Sequence, residues 1–247
     1  MTAILDEQRL TVKVSGDFAC FTRPDLKVER MSYPCPTPAA ARGILDSILW
    51  KPEFKWYLRR ILILNPVNYF SIKRNELKDK QGDKPVLIED RRTQRNSLVL
   101  RDVAYIIEAS VFQDAFDQKN PPVKYAEMFR RRVRKGQCFR RPYLGVREFS
   151  CEFTEPGAED RPIEDSLPIG SLFHDMHYDA QGRLTPLFAQ GVAIVKGVLD
   201  CENARDANGL LNETLMSSSH LRPRNSDGVK ELLTFYADRE EQEVDDA

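Results

Sequence analysis

Two helix-patterned segments, TPAAARGILDSILW (37–50) and KYAEMFRRRVRK (124–135), are set among β-prone runs, and this alternation narrows the fold more than any other feature. In RLTVKVSGDFACF (9–21), Leu10, Val12 and Val14 alternate with polar residues, which predicts a half-buried strand. Thr37 is a good N-cap and Pro38 suits a first helical turn, so a helix is expected to follow and to end near Lys51-Pro52. KWYLRRILILNPVNYFSI (55–72) reads as strand broken at Asn65-Pro66, residues 74–95 read as charged loop, and SLVLRDVAYIIEASVF (97–112) reads as a second long strand. The second helix should stop at Gly136, and REFSCEF (147–153) supplies a further strand. The order strand, helix, strand, strand, helix, strand predicts an α+β, ferredoxin-like β-α-β-β-α-β unit over residues 1–155. The same pattern also suits another α+β sandwich.

Residues 168–200 carry a turn signal, Asp179-Ala180-Gln181-Gly182, between β-prone runs, so a small separate antiparallel sheet is expected over 156–200. Residues 201–247 hold five basic and eleven acidic residues and are expected to form an acidic, poorly ordered tail, with GVKELLTFYA as a short helix. That tail fits a solvated end, a nucleic-acid mimic or a subunit contact.

The second helix holds the main functional signal. Residues 124–149 contain nine Lys or Arg against Glu127 and Glu148, in a chain of net charge −1. At 100° per residue, Tyr125, Ala126, Phe129 and Val133 share a buried arc. Lys124, Arg130, Arg131, Arg134 and Lys135 share the other, with Arg132 at the edge. Arg130/Arg134 and Arg131/Lys135 are like-charge i,i+4 pairs, which weaken a helix by a few tenths of a kcal/mol unless an anion compensates. Arginine forks match phosphates, and Phe139, Tyr143 and Phe149 offer stacking surfaces, so this face reads as a nucleic-acid track extended by Arg140, Arg141, Arg147 and Lys51.

Other chemistries find less support. There is no phosphate-binding Gly-rich loop, and the five scattered cysteines show no C-x-x-C pair. His174 and His177 with Asp175 and Asp179 suggest a metal cluster at first sight, but positions 174 and 177 on a strand face opposite ways. No metal and no cofactor are expected. No apolar run approaches the ~20 residues of a membrane span, and MTAILDEQRL is too polar for a secretory signal, so a cytoplasmic protein without membrane contact is expected.

GDFACFTRPDLKVERMSYPCPTPAAARGILDSILWKP (16–52) and KYAEMFRRRVRKGQCFRRPYLGVREF (124–149), with IGSLFHDMHYD (169–179), resemble the signatures of the Cas five subunit of subtype I-C CRISPR systems, over about residues 8–198. The resemblance implies a ferredoxin-like domain of the repeat-associated RNA-binding superfamily followed by a small antiparallel sheet. It implies a metal-independent endoribonuclease that cuts the repeat hairpin of CRISPR precursor RNA. The product, the mature guide RNA, would stay bound by its 5′ handle in Cascade, beside the backbone and large subunits; the isolated chain would be a monomer. Catalysis would need a base for the 2′-OH and a cation for the phosphoryl oxygens.

Members of that family commonly carry a Tyr before the Trp-Lys-Pro of the first helix and a Lys-His pair at the start of the second. This sequence has Leu49 and the pair Lys124-Tyr125. Lys124 and Tyr125 are therefore the catalytic candidates, although a Tyr, with an ordinary pKa of about 10, is a poor base near neutrality. His174 is the nearest base by type, without anything to place it beside Lys124. A non-catalytic subunit capping the guide 5′ handle is the alternative, and a generic RNA-binding module a third.

Overall fold

The computed structural model describes residues 9–26, 28–78, 88–113, 120–178 and 184–217. Strand β1 (Leu10–Ala19) leads to helix α1 (Pro38–Ile48), then β2 (Phe54–Ile63), β3 (Tyr69–Leu77), β4 (Arg92–Gln113), helix α2 (Pro122–Lys135) and β5 (Glu152–Thr154). Strands β6 (Leu167–Tyr178), β7 (Leu184–Val195) and β8 (Val198–Asp200) follow, then the short pair β9 (Arg205–Asp206) and β10 (Gly209–Leu210) and helix α3 (Leu211–Ser217). The protein is α+β, with a large, mainly antiparallel sheet in the order β5-β1-β4-β2-β8-β7-β6.

Local chemistry places most of these elements. Leu10, Val12 and Val14 are buried on β1, in register with Ala109, Ile107 and Tyr105 of β4. The Thr37 hydroxyl accepts from the Ala40 N–H and Pro38 occupies the first turn of α1, as its sequence predicts. Helix α2 ends at Gly136 in the left-handed conformation, where the missing Cβ removes the usual steric penalty. Its buried face is Tyr125, Ala126, Phe129 and Val133, the arc expected from periodicity. Trp56 meets Phe129 edge-on at 5.0 Å, and Phe54 lies 5.1 Å from Tyr125, so α2 is pinned to β2 by rings.

Three expectations need correction. Residues 74–95, read as loop, hold the end of β3 and the start of β4, which pair from Tyr69↔Leu100 to Leu77↔Arg92. This ribbon is solvated along most of β3, so it shows no apolar alternation to read. Arg74 and Arg95 sit directly opposite one another and both reach Glu76, at 2.6 and 3.5 Å, which offsets their repulsion. The strands expected as a separate small sheet exist as β6, β7 and β8, but Ile61↔Leu199 pairing joins β8 to β2 and makes one continuous sheet. The start of the expected acidic tail is folded: Leu211 and Leu215 pack with Leu187 and Ala189, and buried Asn212 donates to the Leu58 and Cys201 carbonyls. GVKELLTFYA, His220, the turn at 179–182 and the acidic end lie outside the described residues.

Between α1 and β6 lies a partly buried ionic group, with Asp175 its buried member. The Arg42 guanidinium grips Asp175 through Nε and Nη2, at 2.6 and 2.7 Å, and reaches Asp46 at 3.1 Å. Burial, opposed by Arg42, pushes the Asp46 carboxyl up to about 6. An unfolded Asp titrates near 3.9, so between about pH 4 and 6 the folded chain holds a proton that the unfolded chain has lost. Acidification through that window therefore favours the folded state through this group. The difference in Tm between wild type and Asp46→Asn is expected to move in favour of wild type by several degrees from pH 7 to pH 4.5; a pH-independent difference would contradict this assignment.

Candidate nucleic-acid interface

Helix α2 begins at Pro121-Pro122, with no side-chain cap and no acid in its first turn. A helix N-terminus carries about half a positive charge, and natural sequences usually place Asp or Glu there. This chain places Lys124 there, exposed, with its Nζ donating to the Asn120 amide oxygen at 3.3 Å. Pro121 and Pro122 bring no N–H, and the Lys124 N–H donates to the Pro121 carbonyl at 3.0 Å. What this positive end offers an anion is therefore the Lys124 ammonium backed by the helix dipole, an arrangement unfavourable alone. The basic residues of the last turn differ, because Arg134 and Lys135 also complement the negative helix end.

The other predicted side chains separate into several groups. Arg131, Lys135 and Arg147 are exposed and form no ion pair among the described residues. Arg130 pairs with Glu127, Arg134 approaches Glu155 at 3.9 Å and Arg141 binds Glu152, all at exposed positions where such pairs contribute little and exchange readily. Arg140 is exposed, and its backbone N–H donates to the Ser47 carbonyl at 3.0 Å. Arg132 donates to the Ile48 carbonyl at 2.8 Å, so it ties α2 to the C-terminal end of α1.

Four residues are not on this face. Lys51 is 8 % exposed, its stem enclosed where α1 runs into β2, so it does not extend the exposed row. Tyr125 is 2 % exposed, its ring packed beside Phe54, and Leu49 is fully buried in the same core. Each therefore supports packing, and neither reaches solvent beside Lys124. His174 is also fully buried, and burial lowers the pKa of its imidazole. It lies with Arg42, Lys55 and Asn212 around a cavity of about 20 Å³ and does not join the α2 face. No group of three or more His, Cys, Asp or Glu among the described residues is arranged to hold a metal.

The sequence reading missed the β3–β4 ribbon. Tyr69 and Phe70 are exposed on β3, Phe70 lies 5.9 Å from Phe18, and the Arg101 guanidinium sits 5.6 Å from the Phe70 ring centre. Phe149 continues the row at 5.7 Å from Phe18. The aromatic pair at 69–70 was visible within a β-prone run, but its exposure follows from the ribbon projecting beyond the sheet.

Comparison with known proteins places the chain in a family. Residues 9–201 match the profile of the CRISPR-associated protein family Cas_Cas5, Cas5d type. The chain is 48% identical over 170 residues to the CRISPR pre-crRNA endoribonuclease Cas5d of Thermus thermophilus, covering 69% of this chain and 74% of that protein. It is 39% identical over 214 residues to the protein of the same name from Mannheimia succiniciproducens, covering 78% of this chain and 94% of the relative. A solved structure described as a CRISPR-associated protein superposes with a TM-score of 0.58 at 25% identity, over 78% of this chain and 90% of that one.

Proposed function

The chain belongs to the Cas5 family of CRISPR-associated proteins, in its Cas5d branch, and from that membership we propose that it is an endoribonuclease of CRISPR precursor RNA, acting without metal and staying on the 5′ handle of its product. The observation that carries the chemical reading is Lys124, an exposed ammonium at the uncapped positive end of α2. In the reaction the 2′-oxygen attacks the adjacent phosphorus, its proton leaves to a base, and the 5′-oxygen departs with a proton. Negative charge grows on the non-bridging oxygens, where the Lys124 ammonium at the positive end of the helix dipole stabilises it most. Arg131, Lys135 and Arg147 hold flanking phosphates, and Arg130, Arg134 and Arg141 join them by exchanging surface carboxylates for phosphate. Retention would place the chain beside the backbone and large subunits of Cascade, as a monomer before assembly.

A ferredoxin-like unit is the finer reading of the fold, supported by the adjacent order β5-β1-β4-β2, with α1 and α2 as the two crossovers. No helix among the described residues is long and apolar enough to cross a membrane, which is compatible with a cytoplasmic site of action.

A second reading, RNA capping without cleavage, is favoured by one observation: Leu49 and Tyr125 offer no exposed base beside Lys124. The separating experiment is cleavage of a labelled repeat hairpin in EDTA, with a 2′-deoxy substitution at the scissile nucleotide as control. Cutting of the ribose strand and none of the deoxy strand is expected. Tight binding with no cutting of either would establish the second reading.

A further inference from the structure

A groove of about 300 Å³ lies between α1, the 140–145 turn and β6. One wall is the α1 face bearing Ala39, Ala40, Gly43 and Ser47, where small side chains bring the helix backbone to the surface. A Cβ built on Gly43 would meet no atom within 4 Å, so packing does not demand the glycine; it leaves the groove open. Across from it stand the exposed ring of Tyr143 and the half-buried ring of Phe173. Arg140 lies at the rim, on the segment that continues from the basic end of α2.

Both walls are fixed. Arg140 and Phe139 donate their backbone N–H groups to the Ser47 and Ile48 carbonyls at 3.0 and 3.4 Å, anchoring the turn on the end of α1. Leu144 accepts from the Cys20 N–H at 3.0 Å, and at Gly145 (φ 84) a Cβ would fall 2.1 Å from the Cys20 carbonyl oxygen. A groove held this firmly loses little conformational freedom on binding.

We propose that this groove receives one unpaired base of the bound RNA, stacked on Tyr143, with its phosphate on Arg140. The inference rests on the RNA-binding reading above and adds a site away from Lys124. The volume suffices for one heterocycle and its sugar. An aromatic face against a flat wall of small residues suits a planar guest, and the guanidinium supplies the complementary charge. Thr22 and Thr37 also line the groove, the Thr37 hydroxyl accepting the Ala40 N–H as the cap of α1. A phosphopeptide or acidic protein segment would use Arg140 but leave the stacking surface without purpose.

The test uses the full chain and a fluorescent CRISPR repeat hairpin with single-stranded flanks, in which an abasic nucleotide is moved one position at a time. Gly43→Leu fills the groove without altering charge, and Leu exceeds Gly in helix propensity, so its Tm should equal or exceed wild type. One abasic position is expected to weaken wild-type binding about 10-fold or more, the scale of one lost stack. Gly43→Leu and Tyr143→Ala should weaken the intact RNA similarly and be insensitive to that abasic position, while the salt dependence stays near wild type. If wild type binds the RNA and neither variant changes affinity, or no abasic position matters, the groove proposal is overturned and the RNA reading stands. If wild type does not bind the RNA, both fall.

Discussion

Lys124→Ala is expected to slow hairpin cleavage by about 100- to 1,000-fold, the range found when one preorganised charge-stabilising donor is removed from a transition state. Binding should weaken only a few-fold, because Arg131, Lys135 and Arg147 remain exposed. The stability change should have the opposite sign. An exposed cation at a helix N-terminus is unfavourable by about 0.3–1 kcal/mol, so its removal should leave Tm unchanged or slightly higher. Single-turnover cleavage with saturating protein, paired with a thermal melt, reads both. A variant that loses Tm together with activity would assign Lys124 a structural role. Lys124→Arg should recover part of the rate, since the charge survives with altered geometry.

The second large effect concerns stability. Arg42→Ala should destabilise the chain by about 3–5 kcal/mol, because it leaves the Asp175 carboxylate buried without its bidentate partner. In a protein of this size that corresponds to a fall in Tm of roughly 10 °C. Arg42 itself is about one-third exposed, so the cost arises at Asp175 and not in the arginine. Asp175→Asn in the Arg42→Ala background should therefore recover a substantial part of the loss. Equal melting of the single and double variants would show that Asp175 finds another partner. Urea titrations of the set give the coupling directly.

These two residues also show what sequence makes legible. The α2 faces could be read because one helix carries both periodicities, apolar residues at 125, 126, 129 and 133 and cations between them. The Thr37 cap and the Gly136 stop could be read because each satisfies a local backbone requirement. Arg42 could not be singled out, since its partner Asp175 is 133 residues away and only β6 docking brings them together. The groove escaped for the same reason, as α1, the 140–145 turn and β6 each supply part of it. Tyr125 is more instructive: periodicity put it in the core, whereas family likeness put it in the site. The structure places its ring in the core, beside Phe54. Lys51 was misjudged because a lysine stem can be buried when a chain turns tightly from helix to strand.

The continuity of the sheet through β8 has a consequence during synthesis. Once the ribosome has released residues up to about 113, β2 has β4 on one side and an open row of peptide groups on the other. Its eventual cover is three residues long, Arg60↔Asp200 to Leu62↔Val198, and is encoded near the end of the described chain. At about 5–20 residues per second the nascent chain exposes that edge for roughly 5–15 seconds, during which another nascent strand is a competing partner. The interval between making β2 and making β8 is thus a period of exposure that the finished fold conceals.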